Sequence, residues 1–269
     1  MPDTPFSDPG TDAGAVSVEH HDAVAVVTLR RPPHNLLTEP VLRAVADALT
    51  ALGGTTRVAV LRSEGRSFCA GADIRAGDAP DPTPRHRVEE QTAAFNRQAA
   101  RVFSCPVPVV AAVQGAAIGA GFGLALACDV CVVGDKGWFQ ANFVRLGIHP
   151  GFALSATLPR AVGAGRAADL LLTGRRVDAA EAARIGIAQH VAPAAGELDT
   201  ALHVAGEIAG GAPLAVRATR ATLRHGLADV AVATMRHELA QQTALAGSAD
   251  AIEGVAAVLE GRPPSFEGR

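Results

Sequence analysis

Residues 113–129 read VQGAAIGAGFGLALACD, and the rest of the chain is organised around them. They follow PVPVVAAV (106–113), an apolar β-branched run with the character of a buried strand. Gly115 ends that strand. Gly119, Ala120, Gly121 and Gly123 then form a small-residue turn leading into a helical pattern over 124–128. Such a turn lets backbone approach a ligand closely. The first N–H groups of the new helix have no intrahelical acceptor, so they face whatever carries negative charge. The same residues would also suit plain helix–strand packing. A nucleotide fingerprint is not completed, because Leu124 stands where the third glycine of G-x-G-x-x-G would fall and G-K-[ST] does not occur.

A second stretch narrows the choice. SFCAGADI (67–74) follows the strand-like VAVLR (58–62) and makes a similar turn before a proline-rich segment. Two strand-end turns can supply two converging backbone N–H donors, the arrangement that stabilises the developing charge on a thioester or enolate oxygen.

With both stretches in view, the chain resembles the crotonase superfamily, the enoyl-CoA hydratase/isomerase family, over nearly its whole length. The matching pieces are LRRPPHNLLT (29–38), SFCAGADI, VQGAAIGAGFGLALACD, RLGIHPGFALSATLPRAVG (145–163), LLLTGRRVDAAEAARIGIAQHV (170–191) and SADAIEGVAAVLEGRPPSFEGR (248–269). The resemblance implies an α/β fold, a spiral of ββα units, with C-terminal helices that build a homotrimer or a dimer of trimers. It implies an acyl-CoA or enoyl-CoA thioester as ligand, with CoA entering as part of the substrate and no permanently bound cofactor. The oxyanion amides fall on Ala72 and Ala120. The implied CoA contacts are Arg30, Arg31, Ala70, Ala72, Asp73, Ile74, Phe266 and Arg269.

The chain departs from the family's pattern at the water-activating pair. Hydratases of the family use two glutamates, one just after the oxyanion turn and one before the following PG. Here those positions are Gly123 and Phe143, and neither side chain can exchange a proton. Relatives with an aspartate beside the PG turn have Gly151 in its place here. The polar groups left in that segment are Asn142, Arg145 and His149. A histidine can carry protons near neutral pH, which makes His149 the candidate acid or base. Gly123, Asn142 and Phe143 are expected to line a drier, more apolar acyl pocket. His86, Glu89 and Glu90 follow the proline-rich loop, where relatives can carry an alternative acid or base; a solvated helix face is the plain reading of all three. Two functions stay open: enolate chemistry on an acyl-CoA or enoyl-CoA without efficient two-carboxylate hydration, or a non-catalytic acyl-CoA carrier or sensor.

Composition excludes other classes. A net charge of −3 with scattered basic residues, one Trp and no Tyr leaves no basic stacking surface for nucleic acid. The cysteines Cys69, Cys105, Cys128 and Cys131 read as reduced thiols in a cytoplasmic protein. Cys128 and Cys131 form a lone C-x-x-C without the second pair that a metal site needs. No metal and no membrane are expected. The polar, proline-rich opening reads as a tail over 1–14 rather than a signal peptide. The spiral core is expected over 15–200 and the helical oligomerisation segment over 201–269. Strands are expected on either side of a His20–Asp22 turn. Helices are expected over 39–52, 88–103, 161–172, 178–186, 204–227, 230–245 and 250–259.

Overall fold

The computed structural model describes residues 14–73 and 85–269, with 85–88 as backbone only. β1 (Val16–His21) and β2 (Val24–Leu29) form an antiparallel hairpin. His20 and His21 end β1, and the turn falls on Asp22, whose φ is 51°. α1 (Glu39–Thr50) starts where Thr38 Oγ1 accepts the Val41 N–H and Pro40 sits in the first turn.

From there the chain repeats one unit. β3 (Val58–Ser63), β4 (Ser67–Cys69) and α2 (Arg85–Val102) form one turn of the spiral; β5 (Val109–Val113), β6 (Ala116–Ile118) and α3 (Ala120–Ala127) form the next. β7 (Val130–Gly134) and β8 (Trp138–Gln140) follow, then a 3-10 turn (Phe143–Leu146), α4 (Leu154–Val162) and α5 (Ala164–Thr173). β9 (Arg176–Asp178), α6 (Ala179–Ile185), β10 (His190–Ala192), α7 (Glu197–Gly210), α8 (Pro213–Leu223), α9 (Leu227–Leu245) and α10 (Ala249–Glu260) complete the chain.

The first strand of each unit enters a six-stranded sheet of order β1-β2-β3-β5-β7-β10, and the second enters a four-stranded sheet of order β4-β6-β8-β9. Every pairing between successive units is parallel. β5 and β7 are apolar throughout, and β3 as far as Leu61, because both faces of the sheet are covered there. Ala59, Leu61, Val109, Ala111 and Val113 face the main core, while Val58, Val60, Val110 and Ala112 alternate with them and pack under Ala201, Val204, Ala205 and Ala209 of α7.

Two expected helices differ, and two short strands were not expected. α4 lies before the helix expected over 161–172. Pro159 sits inside it and reads locally as a breaker, but α4 is held by the packing of Leu154, Leu158 and Val162. The helix expected over 204–227 is two helices. α7 ends at Gly210, and Pro213, which cannot continue an N–H ladder, opens α8. β6 and β8, at three residues each, are too short to show a period.

Candidate functional site

The first turn is built by two extended segments side by side. Ala70 N–H donates to the His34 carbonyl, Leu37 N–H to the Gly71 carbonyl and Asp73 N–H to the Leu37 carbonyl, each at 2.9 Å. Successive groups of an extended chain alternate sides, so the Ala72 N–H points away from Leu37. Beneath this ladder the Asn35 side chain is buried. It accepts Arg31 N–H at 2.8 Å and donates to the carbonyls of Glu64 and Ser67 at 2.6 and 2.7 Å. Arg31 Nη1 donates to the Leu36 carbonyl at 2.8 Å and pairs with Asp73 Oδ2 at 3.1 Å.

The second turn follows β6. Gly119 N–H donates to the Gln140 carbonyl at 2.9 Å, and Gly119 adopts φ 52° and ψ −114°, a combination open to glycine and strained for other residues. α3 begins at Ala120, and its first intrahelical bond comes from Gly123 N–H to the Gly119 carbonyl. Among the described residues, neither the Ala72 N–H nor the Ala120 N–H has a hydrogen-bond acceptor. The two turns touch: a Cβ on Gly71 would lie 3.4 Å from the Ile118 carbonyl oxygen, and one on Gly121 would overlap the Cys69 carbonyl.

The surroundings are apolar with a few amides. A Cβ on Gly119 would meet Asn142 Oδ1 at 3.4 Å and Phe143 Cζ at 3.6 Å, which places Asn142 and Phe143 against the second turn. A Cβ on Gly151 would meet Gln242 Nε2 at 2.8 Å and Phe143 Cε1 at 3.9 Å. Gly123 corrects the expectation that it lines the pocket. Its Cα faces Phe152, and a Cβ there would lie 2.6 Å from Phe152 Cβ. That ring is buried and packs against Phe95 and Phe103, with centroids 6.2 and 6.4 Å away.

His149 is half-buried, with Nδ1 2.9 Å from the Pro150 carbonyl oxygen. A carbonyl only accepts, so Nδ1 carries the hydrogen and Nε2 of the neutral ring keeps its lone pair. The ring lies edge-on to His237 at 6.0 Å. Nearby, the 0 % exposed Glu238 of α9 accepts from Ala153 N–H (2.8 Å), Ser155 N–H (3.1 Å) and Ser155 Oγ (2.6 Å). Burial pushes its carboxyl above the usual range, opposed by the bonds from the Ser155 hydroxyl and the Ser155 and Ala153 N–H groups. Sequence reasoning missed Glu238. Its signal is a carboxylate at the spacing of Ala231 and Met235, the buried stripe of α9.

The implied CoA contacts divide. Ala70 and Ala72 belong to the first turn. Arg30 is exposed and pairs with Glu19 and Glu64 at 3.2 and 2.9 Å. The Arg31 and Asp73 side chains are 6 % and 3 % exposed and pair with each other, so Arg31 is not the exposed cation that a phosphate contact would use, and the pair braces the first turn. Phe266 is half-exposed, and Arg269 is exposed and paired with Glu267. Both lie on a terminal segment whose Glu267 and Gly268 N–H groups donate to the Asp250 carboxylate. Ile74 and the His86 side chain lie outside the described residues; Glu89 and Glu90 are exposed. Arg145 Nε turns to the Thr173 carbonyl at 3.1 Å. All four cysteines are free, and burial raises the thiols of Cys69 and Cys131 to about 12. Among the described residues, there is no metal-binding group of three His, Cys, Asp or Glu, and no helix is long and apolar enough to cross a membrane.

Comparison with known proteins agrees with this architecture. The enoyl-CoA hydratase/isomerase family profile matches residues 19–269. A probable enoyl-CoA hydratase of Rhodobacter capsulatus is 36% identical over 258 residues, 94% of this chain and 98% of that protein. The 2,3-dehydroadipyl-CoA hydratase of Escherichia coli K12 is 33% identical over 262 residues, 94% and 98% of the two chains. The crystal structure of an enoyl-CoA hydratase from Mycobacterium avium subsp. paratuberculosis superposes with a TM-score of 0.82 at 30% identity, covering 94% of this chain and 99% of that one. The unit repeat, the two-sheet spiral and these matches have one conclusion: the chain has the crotonase fold and belongs to the enoyl-CoA hydratase/isomerase family.

Proposed function

We propose that the chain binds an acyl-CoA or enoyl-CoA thioester with its carbonyl oxygen between the N–H groups of Ala72 and Ala120, and acts on it through an enolate rather than as an efficient two-carboxylate hydratase. The observation that carries this reading is the pair of N–H groups without acceptors on two turns in backbone contact. Donors fixed by the Leu37 ladder and by the start of α3 need no reorganisation as negative charge develops on the oxygen. One such donor is worth about 10²–10³ in rate.

At the positions to which the family resemblance assigns the water-activating glutamates, this chain has Gly123, which packs under the Phe152 ring, and Phe143, which lies against the Gly119 turn. Both aromatic groups keep that side of the site dry, which favours a hydrocarbon chain over an attacking water. His149 Nε2 is the proton acceptor of this reading; it takes a proton from the carbon α to the thioester, and the electron pair moves onto the carbonyl oxygen. Exposed Leu214, Leu223 and Ile252 on α8 and α10 support assembly into a homotrimer or dimer of trimers. The missing carboxylates at 123 and 143 also favour a second reading, a carrier or sensor that uses the same amides to hold the carbonyl without turnover.

Mass spectrometry of a panel of enoyl-, acyl- and malonyl-type CoA thioesters incubated with the protein separates these. Gain of a water on an enoyl-CoA contradicts the proposed chemistry. Another mass change, or deuterium entering the α carbon in heavy water and lost in His149→Ala, supports it. Tight binding without change or exchange favours the carrier.

A further inference from the structure

The loop that joins the 3-10 turn to α4 is held by a single helix from far along the chain. α9 places Glu238 and Gln242 one turn apart. Gln242 Nε2 donates to the His149 carbonyl at 3.0 Å, and the Glu238 carboxylate gathers the two N–H groups and the hydroxyl at Ala153 and Ser155. Between these anchors Phe152 and Ala153 are both left-handed, with φ of 60° and 55°. Two adjacent non-glycine residues rarely hold this conformation unless the surroundings enforce it. Its result is the Phe152 ring pressed on Gly123, inside the helical turn that begins with the Ala120 N–H.

We propose that Glu238 is a positioning residue for the acyl site: by locking the Phe152–Ala153 step it fixes the ring that closes the Gly123 side, and so sets which acyl groups fit. This rests on the acyl-CoA reading above. A carboxylate suits the task because it only accepts, and three donors converge on it. The amide nitrogen of a glutamine would face donors instead. Once the step loosens, the ring can leave Gly123, and its volume opens to longer or branched chains.

The test compares Glu238→Gln, Ser155→Ala and Phe152→Leu in the full chain. Calorimetry measures binding of acetyl-, butanoyl-, octanoyl- and 3-methylbutanoyl-CoA and of CoA alone, and amide hydrogen exchange is followed at Ala153 and Ser155. In Glu238→Gln, exchange at both amides is expected to quicken, and the ratio of affinities for large and small acyl groups to shift about tenfold, the scale on which an apolar pocket discriminates. Affinity for CoA alone stays unchanged. Ser155→Ala, which removes one bond of three, is expected to shift the ratio less in the same direction. Phe152→Leu shifts it with both amides still protected. An unchanged ratio in folded Glu238→Gln overturns the proposal, as does unchanged exchange at Ala153. If Glu238→Gln does not fold, an unchanged ratio in Ser155→Ala and Phe152→Leu overturns it equally. A wild-type protein that binds none of the panel overturns the acyl-CoA reading itself and this role with it.

Discussion

Phe152 packs on Gly123 so closely that a Cβ at position 123 would stand 2.6 Å from Phe152 Cβ and 2.8 Å from two of its ring carbons. Position 123 is therefore closed to a side chain by more than its own identity, because an aromatic ring occupies the volume. Gly123→Ala is expected to destabilise the fold by about 1–3 kcal/mol, the usual cost of overpacking a core, measured by urea denaturation. Gly123→Glu with Phe143→Glu should gain no hydration activity by itself. Adding Phe152→Ala should permit it. Hydration by the double variant would show that the ring moves freely.

Gly119 holds a backbone conformation, φ 52° and ψ −114°, that other residues adopt only under strain. A Cβ there meets no severe overlap, since its nearest neighbour is Asn142 Oδ1 at 3.4 Å. Gly119→Ala should therefore shift the start of α3 while the core stays folded. Loss of the aligned Ala120 donor is expected to lower turnover about 10²–10³-fold in the steady state, with a smaller change in CoA affinity. Turnover within about twofold of wild type would leave the donor with no catalytic part.

Arg31 and Asp73 form a buried pair at 3.1 Å that ties the 30–37 segment to the turn carrying Ala72. Asp73→Ala removes one of several partners of the buried guanidinium and should destabilise the fold by less than the cost of a wholly uncompensated buried charge, about 3–5 kcal/mol. Arg31→Met combined with Asp73→Leu should cost much less than the sum of the single changes. Chemical denaturation of the four proteins in a double-mutant cycle measures the coupling, and strict additivity would contradict it.

Glu253 is held down to about 2 from 4.5, first by the hydrogen bond from Arg262 and then by the Ser265 N–H. A carboxyl lowered in the folded state binds fewer protons there than when unfolded. Its stabilisation is present above pH 4.5 and is lost as pH falls toward about 2. Acidification across that window should release the terminal segment from α10, read as faster exchange of the Ser265 amide with the carboxyl titration followed by NMR. Glu253→Gln should remove the pH dependence. An unperturbed Glu253 titration would contradict the Arg262 contact.

Local chemistry determined much of this protein. The apolar run before Gly115, the small residues 119–123 and the helical pattern after them are set by short-range sterics and periodicity. β5, α3 and the turn carrying Ala120 were accordingly legible from residues 106–128 alone. The same holds for the GAD turn. Tertiary structure decided what had no local signature. Arg31 reads as an exposed phosphate ligand until Asp73, 42 positions away, is found beside it. The helix expected over 161–172 starts too late until α4, which contains Pro159, is seen packed before it. Gly123 reads as an open pocket wall until Phe152 is seen to fill it. Glu238 reaches Ala153 across 85 residues, and no sequence window spans that distance. Backbone conformation and hydrophobic period are written in neighbouring residues; which side chain fills a void or gathers stray donors depends on segments that meet only when the spiral closes.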